Sequence, residues 1–263
     1  MTKFIAVLSG KGGVGKTTVA INLASALNNL GKDVVVLDGN LTTPTVGINL
    51  GLTNIPVSFH DVMSEKNNIL NSVYLHSSGI RIIPGSINLN AISDVNLDNL
   101  ENIFQQLQGL SEIVIIDLGA GLETETLNVL QYADEVLIVT NPELSAVTNA
   151  LKAIKVAEEL NVTVLGVVLN KLKENSELSI RNVEAFLERP ILTAIPENED
   201  ITKAQHNKQT VFFNSPNSES AVNFKKLASY LIGQKYEQGL QVPKESWISN
   251  ILKNFSLKWK KKP

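Results

Sequence analysis

The residues with the clearest chemistry form a glycine-rich run near the start of the chain. The run follows the G-x-x-x-x-G-K-[ST] pattern and reads Gly10-Lys11-Gly12-Gly13-Val14-Gly15-Lys16-Thr17-Thr18. Glycines let backbone N–H groups turn inward into an anion-binding nest, and a helix that begins near Lys16 adds the positive end of its dipole. The run therefore predicts a loop that binds nucleotide phosphates.

Three side chains of this loop are candidates for chemistry. Lys16 is expected to reach the β- and γ-phosphates, and the Thr17 hydroxyl is expected to ligate Mg²⁺. ATP with Mg²⁺ is thus the cofactor that the loop predicts. Lys11 is a second lysine that the general pattern does not require, so its presence needs a separate explanation.

Polar side chains also come directly after several short apolar runs. Asp38, Asp117, Asn141 and Asn170 occupy such positions, and the glycine-rich loop follows another run. Ligands of open α/β sheets bind outside the carboxyl ends of the strands. We therefore expect these four side chains to converge with the loop at one edge of a sheet.

The apolar runs have the length and character of strands that are buried on both faces of a parallel sheet. They alternate with helical patterns, which predicts a doubly wound α/β fold with a mostly parallel sheet. The expected strands cover residues 4–8, 34–37, 80–83, 113–116, 135–140 and 164–169, and helices are expected over 17–29 and 221–233. We expect one domain over residues 1–233.

The composition excludes several classes of function. The 263 residues are 43% hydrophobic and 19% charged with a net charge of −3, which suits a soluble protein and not an overall basic nucleic-acid binder. The sequence has no cysteine, which excludes thiol nucleophiles and cysteine-ligated iron–sulfur clusters. Because no apolar stretch is long enough to span a bilayer and the start lacks a signal-peptide pattern, we expect a cytoplasmic location.

The end of the chain has a different character. Residues 234–245 are polar and contain Gly239 and Pro243, which predicts a linker. On a helical wheel, one face of residues 246–263 carries Trp247, Ile248, Ile251, Leu252, Phe255 and Trp259, and the lysines of this segment are Lys253, Lys258, Lys260, Lys261 and Lys262. This pattern is typical of an amphipathic helix on an anionic membrane surface. A terminal helix packed on its own domain has the same pattern, so both interpretations stay open.

In detail, the glycine-rich loop with its extra Lys11 resembles the deviant Walker A motif of the MinD/ParA family of ATPases, which belong to the SIMIBI class of P-loop NTPases. The resemblance extends over nearly the whole chain and is greatest to archaeal MinD. It implies a homodimer that forms on ATP binding, in which Lys11 contacts the phosphates held by the other subunit. It also implies reversible, peripheral membrane attachment and a regulatory or cargo protein as partner.

Later segments resemble further motifs of this family. By resemblance, Asp117 in the segment 117–121 would hold Mg²⁺ through water. Glu143, in the segment 140–143 that also contains Asn141, would approach the nucleotide of the other subunit. Asn170 would hydrogen-bond the adenine, for which an amide offers both a donor and an acceptor. The resemblance also places Lys171 and Pro196 beside the base.

Two positions depart from the family pattern. The family has Asp-x-Asp in its first switch, whereas this chain has Asp38 and Asn40, and a carboxamide cannot take a proton at neutral pH. Since the missing carboxylate orients the attacking water, we expect intact ATP binding with slow hydrolysis, unless Asp38 takes over that role. Gly119 stands where the family has proline, which predicts a looser second switch.

Two functions fit these features. The first is an ATPase switch that attaches to the membrane and positions cell-division or other cellular machinery. The alternative is a ParA-type partition protein, which binds DNA nonspecifically as an ATP dimer and needs a basic surface. Because the basic cluster of the sequence is mixed with apolar residues at its C-terminal end, nucleic acid is the less favoured partner.

Overall fold

An eight-stranded sheet forms the centre of the computed structural model, which describes residues 1–52 and 54–234. Its strands are β1 (Lys3–Ser9), β2 (Val34–Gly39), β3 (Tyr74–Leu75), β4 (Arg81–Ile83), β5 (Ile113–Ala120), β6 (Glu135–Thr140), β7 (Thr163–Leu172) and β8 (Ile191–Pro196). They lie in the order β3-β4-β2-β5-β1-β6-β7-β8, and β3 is antiparallel to β4 while the other pairs are parallel. The predicted doubly wound α/β fold is thereby confirmed.

All six strands that the apolar runs predict are present, although β5 and β7 extend several residues further at their carboxyl ends. The sequence pattern did not reveal β3, which has only two residues, or β8. Most residues of β8 are only partly buried, because this strand lies at the edge of the sheet. An edge strand therefore lacks the continuous apolar run that marks the central strands.

Helices cover both faces of the sheet in the described residues. They are α1 (Lys16–Asn29), α2 (Val46–Asn49), α3 (Phe59–Met63), α4 (Leu89–Ser93), α5 (Leu100–Leu107), α6 (Thr124–Leu130), α7 (Leu144–Glu159), α8 (Ile180–Leu187), α9 (Glu199–His206), α10 (Val211–Asn214) and α11 (Glu219–Leu231). Two 3₁₀ turns cover Ile69–Ser72 and Leu97–Asn99. The two helices expected from the sequence correspond to α1 and α11.

The central strand β1 shows why the sheet is stable. Successive side chains of a strand point to opposite faces, so Phe4, Ala6 and Leu8 join the hydrophobic core on one side of the sheet. Ile5 and Val7 join the core on the other side. Each fully buried Ile, Leu or Val contributes roughly 1.5–3 kcal/mol of transfer free energy, which is similar in size to the entropic cost of ordering one residue.

The strand order places a functional edge at the end of β1. This strand lies between β5 and β6, so the chain connections turn to opposite sides of the sheet around its carboxyl end. Such a reversal of strand order leaves a crevice in which doubly wound proteins bind ligands. The loop that follows β1 is the glycine-rich run, so the topology and the motif point to the same place.

None of the helices formed by the described residues is long and apolar enough to cross a membrane. The linker predicted over residues 234–245 lies outside the described residues except for Gln234, and so does the whole amphipathic helix predicted over 246–263. The domain boundary at 233 and the membrane helix therefore stay predictions.

Candidate functional site

The loop between β1 and α1 has the backbone shape that its glycines allow. Gly13 and Gly15 have φ values of 78° and 94°, in the left-handed region that side chains disfavour. At Gly15, a Cβ atom would also lie 2.2 Å from the Nδ2 atom of Asn170. Only glycine therefore permits this turn and the contact with Asn170 near the carboxyl end of β7.

The N-terminal end of α1 is open to an anion. Gly15 caps the helix without a side chain, and the first turn contains no acidic residue. The free N–H groups and the positive end of the helix dipole therefore have no side-chain partner from the cap. Together with the turned backbone of the loop, they form the phosphate nest that the sequence predicts.

A buried lysine faces a buried carboxylate at the floor of this nest. The Nζ atom of Lys16 lies 2.8 Å from Oδ1 of Asp117, and the two side chains are 8% and 0% exposed. The Thr17 hydroxyl donates to the other oxygen of Asp117 at 2.6 Å. Asp117 thus holds the Lys16 ammonium and the Thr17 hydroxyl side by side at the N-terminal end of α1.

Asp38 lies beside Asp117, because β2 and β5 pair these two residues in register. It is fully buried, and its carboxylate accepts hydrogen bonds from the backbone N–H groups of Val46 at 2.9 Å and Asn40 at 3.4 Å. Burial and, second in size, the neighbouring charge of Asp117 raise the pKa of Asp38 to about 7. A cation next to the pair would favour the charged form.

Asn40 uses its amide to hold its own loop. Its Nδ2 atom donates to the carbonyl oxygen and the hydroxyl of Thr43, and its Oδ1 atom accepts from the backbone N–H of Thr43 at 3.1 Å. A carboxylate could accept the last bond but could not donate the first two. The asparagine that replaces the family's aspartate therefore makes hydrogen bonds within residues 40–43 that an aspartate could not make.

The same loop is anchored from behind by His60. The imidazole is fully buried, with Nε2 2.9 Å from the carbonyl oxygen of Leu41 and Nδ1 accepting from the N–H of Ser86 at 3.0 Å. Burial lowers the pKa of His60, so the ring is neutral and donates from Nε2. The loop after β2 is thus held at its start by two side chains.

A cavity of about 550 Å³ opens above the phosphate nest and extends past the carboxyl ends of β7 and β8. Its lining includes Gly12, Gly13, Val14, Gly15, Lys16, Thr17, Thr18, Asn40, Asn170, Lys171 and Pro196 from the sequence-predicted set. Asp38 and Asp117 lie buried behind this lining. Most of the predicted site residues are therefore brought together, as the strand-end argument predicts.

Asn170 and Lys171 hold the phosphate loop itself. Asn170 donates to the carbonyl oxygen of Val14 at 2.8 Å, and the Lys171 ammonium donates to that of Gly13 at 2.7 Å. The Asn170 amide, which the resemblance assigns to adenine, thus uses one of its donors to hold the phosphate loop.

One wall of the cavity was missed from the sequence. It is formed by Asn198, which caps α9, and by Ile201, Thr202 and Gln205 of that helix. Gln205 donates to the hydroxyl of Thr18 at 2.7 Å. Asn198 followed by two acidic residues is a helix-start signal that could have revealed α9, but no local pattern shows which helix faces the loop.

Lys11, Asn141 and Glu143 lie outside the lining of the cavity. The Lys11 ammonium is 3.0 Å from Oε2 of Glu143 and 3.1 Å from the hydroxyl of Ser145, at the start of α7. Asn141 donates to the other Glu143 oxygen at 2.8 Å, and its own Oδ1 atom is buried and has no hydrogen-bond partner among the described residues. These residues form a second polar group beside the phosphate loop.

Gly119 provides space and not a special backbone shape. It lies within β5 without a positive φ, and a Cβ atom there would be 2.6 Å from the hydroxyl oxygen of Thr126 and 3.5 Å from Oδ1 of Asn40. The lack of a side chain therefore lets Thr126 of α6 pack closely against β5. The looser second switch expected from this glycine stays a prediction.

The donor set fits Mg²⁺ held partly by a nucleotide. Within the described ranges, no group of three or more His, Asp or Glu side chains forms a metal cage. Mg²⁺ commonly binds through one or two protein oxygens together with phosphates and waters. The Thr17 hydroxyl and the Asp117 carboxylate, which lie 2.6 Å apart at the phosphate nest, are donors of that kind.

Comparisons with known proteins agree with this geometry. A family model described as ParA, NUBPL iron-transfer P-loop NTPase, matches residues 1–232. An uncharacterized ATP-binding protein of Methanocaldococcus jannaschii is 36% identical over 250 residues, which are 95% of each chain. The septum site-determining protein MinD of Thermotoga maritima is 31% identical over 244 residues, 89% of each chain.

The fold is also similar to that of a solved structure. The septum site-determining protein MinD of Pyrococcus horikoshii, in complex with Mg-ADP, superposes with a TM-score of 0.84 at 29% identity. The match covers 88% of this chain and 96% of that one. The similarity therefore includes the phosphate loop, the sheet and the helices around them.

Proposed function

Because the chain belongs to the ParA/MinD family of P-loop NTPases, we propose that it is an ATP-dependent switch that forms a homodimer when ATP and Mg²⁺ are bound. Hydrolysis of ATP to ADP and phosphate returns the switch to its monomeric state. The iron transfer named in the family description is not part of this proposal, since the sequence has no cysteine to ligate iron or an iron–sulfur cluster.

The observation that carries the proposal is the division of work between two lysines. Lys16 is buried in the phosphate nest of its own subunit, whereas the Lys11 side chain is 41% exposed and turns away toward Glu143. Because the Lys11 ammonium lies outside the cavity of its own subunit, it would be free to contact the nucleotide bound in the cavity of a second copy. The Glu143 carboxylate and the Ser145 hydroxyl would hold Lys11 until that copy arrives.

Within one subunit, the described residues bind and orient the nucleotide. Lys16 and the N–H groups of the loop would hold the phosphates, and Asn170 and Lys171 would keep the loop in shape beside the base. Thr17 and Asp117 would hold Mg²⁺, which supplies positive charge to the phosphates when it is bound. The Mg-ADP bound to the Pyrococcus horikoshii relative supports this assignment.

Removal of Lys11 should separate dimerisation from nucleotide binding. Wild-type protein is expected to elute as a dimer in size-exclusion chromatography with ATP–Mg²⁺ and as a monomer with ADP, whereas Lys11→Ala elutes as a monomer with both. Lys152→Ala, which removes an exposed lysine of α7, is the matched control and should behave as wild type. A Lys11→Ala protein that still dimerises with ATP contradicts the role in the partner's site.

We also propose that the intrinsic rate of hydrolysis is low. Asn40 is the residue of the first switch that lines the cavity, and its amide is already engaged by Thr43. It has no carboxylate to orient a water molecule or accept its proton. The buried Asp38 is occupied by the N–H groups of Val46 and Asn40. This engagement supports slow turnover and not a transfer of the role to Asp38.

Replacing Asn40 tests this part of the proposal. In single-turnover assays with radiolabelled ATP, Asn40→Asp should hydrolyse ATP about 100-fold faster than wild type, because it restores a water-orienting carboxylate. The same variant should melt at a lower temperature, since its carboxylate would face the carbonyl oxygen of Thr43. Asn40→Ala is the control and should gain no rate. Equal rates for the Asn and Asp forms would show that the carboxamide does not limit hydrolysis.

Finally, we propose that the ATP dimer binds anionic membranes reversibly through residues 246–263 and thereby positions cell-division or other machinery. The sequence of this segment and the septum site-determining function named for relatives support the proposal. Each lysine near an anionic surface contributes up to about 1 kcal/mol, so one segment binds weakly. Two segments on one dimer gain by avidity, often about 100-fold.

Liposome sedimentation tests the membrane proposal. With ATP–Mg²⁺, the full chain should pellet with vesicles of anionic phospholipid, and the chain ending at 245 should stay in the supernatant. A variant with Lys258, Lys260, Lys261 and Lys262 changed to Gln should bind anionic vesicles much more weakly. Equal binding of the full and shortened chains contradicts the proposal. ATP-dependent, salt-sensitive binding of nonspecific DNA by both chains would instead support a ParA-type partition protein.

A further inference from the structure

Thr45, in the loop after β2, does not make the capping hydrogen bond that its position before α2 allows. It is the N-cap residue of α2, where threonine commonly accepts a hydrogen bond from the helix backbone. Its hydroxyl makes no such bond, although Ser58, Thr210 and Ser218 do so at the starts of α3, α10 and α11. The Thr45 hydroxyl is therefore directed elsewhere.

It is directed at the phosphate nest. The Oγ1 atom of Thr45 lies 3.0 Å from the Oγ1 atom of Thr17, and both residues line the cavity. Thr17 has a single hydroxyl proton and gives it to the Asp117 carboxylate, so the proton between the two threonines comes from Thr45. The oxygen of Thr17 keeps a lone pair for a further partner.

The distance between the two threonine oxygens fits two neighbouring ligands of one metal ion. Mg²⁺ binds oxygen at about 2.0–2.1 Å in octahedral geometry, so adjacent ligands lie about 3.0 Å apart. The oxygens of Thr17 and Thr45 have this spacing. A water-mediated role would place Thr45 further from the ion and would not require this separation.

The backbone fixes Thr45 in this position. The N–H of the next residue, Val46, donates to the buried Asp38, and the Thr45 carbonyl oxygen accepts from both the backbone and the side-chain nitrogen of Asn49. The loop before it is held by Asn40 and His60 as described above. Little rearrangement is thus needed for the hydroxyl to act as a ligand, which lowers the entropic cost of binding.

We propose that Thr45 is a second direct protein ligand of the nucleotide-bound Mg²⁺, next to Thr17 and in addition to the water-mediated Asp117, so that the loop over residues 40–45 is fastened to the metal–nucleotide complex. This inference rests on the proposed nucleotide site and adds a residue to it. The loop that carries Asn40 is then coupled directly to the presence of metal and phosphate.

The test is the effect of Mg²⁺ on ADP affinity, measured by isothermal titration calorimetry in excess Mg²⁺ and in EDTA. ADP is the probe because the spacing of the two threonines does not depend on a γ-phosphate. The ratio compared is the dissociation constant in EDTA divided by that in excess Mg²⁺. This ratio should fall about tenfold or more in Thr45→Val, a nearly isosteric change. Thr45→Ser, which keeps the hydroxyl, and Thr42→Val, which removes an exposed hydroxyl of the same loop, should keep the wild-type ratio.

Each result decides a separate point. ADP affinity in EDTA should be the same in all four proteins, which shows that the variants are folded. A wild-type protein that does not bind ADP contradicts the proposed function itself. If wild type binds ADP with a clear Mg²⁺ effect and Thr45→Val has the same ratio, Thr45 is only a hydrogen-bond partner of Thr17 and this inference is wrong. Loss of the ratio in Thr45→Ser as well would also contradict it.

Discussion

The contact between the Lys16 ammonium and the Asp117 carboxylate is the interaction on which the site depends. Both groups are buried, and an isolated buried charge costs several kcal/mol, so neither is tolerated without the other or a substitute. Asp117 comes from β5 and Lys16 from the helix after β1, which are adjacent because the two strands pair. The sheet thus places the Lys16 ammonium at the phosphate nest, where the Asp117 carboxylate balances its charge.

The other residues of the site lie on two sides of this pair. Thr17 and Asp38 contact or adjoin Asp117, and the loop after β2 is tied to Asp38 through the N–H of Val46. On the other side, Asn170 and Lys171 fasten the phosphate loop to β7. The lining of the cavity is therefore held on two sides by hydrogen bonds to the sheet.

The residues outside the cavity have a different relation to the pair. Lys11 has a partly exposed ion pair with Glu143, which is worth little because water and salt screen it. Such a contact is readily exchanged for one with a phosphate group. The buried lysine and the exposed lysine of the same loop thus differ in how easily they can move, and this difference is the physical basis of the proposed switch.

Local chemistry explains what could be predicted from the sequence. The phosphate loop was predictable because glycine spacing directly determines backbone shape, and the central strands were predictable because burial on both faces requires continuous apolar runs. The cavity wall formed by Ile201 and Gln205 was not predictable, because no local sequence pattern shows which helix faces the phosphate loop. The donors of Asn40 and the space at Gly119 likewise depend on contacts with Thr43 and Thr126, which only the folded chain brings together.

The central claim is that Lys16 serves the phosphates of its own subunit and Lys11 does not. Equilibrium ATP affinity of dilute, monomeric protein tests it most directly, with Lys16→Ala and Lys11→Ala compared with wild type. We expect Lys16→Ala to bind ATP about 100-fold more weakly, since it loses a charge-assisted contact, and Lys11→Ala to keep the wild-type affinity. Unchanged affinity in Lys16→Ala would contradict the role of Lys16 in binding the phosphates.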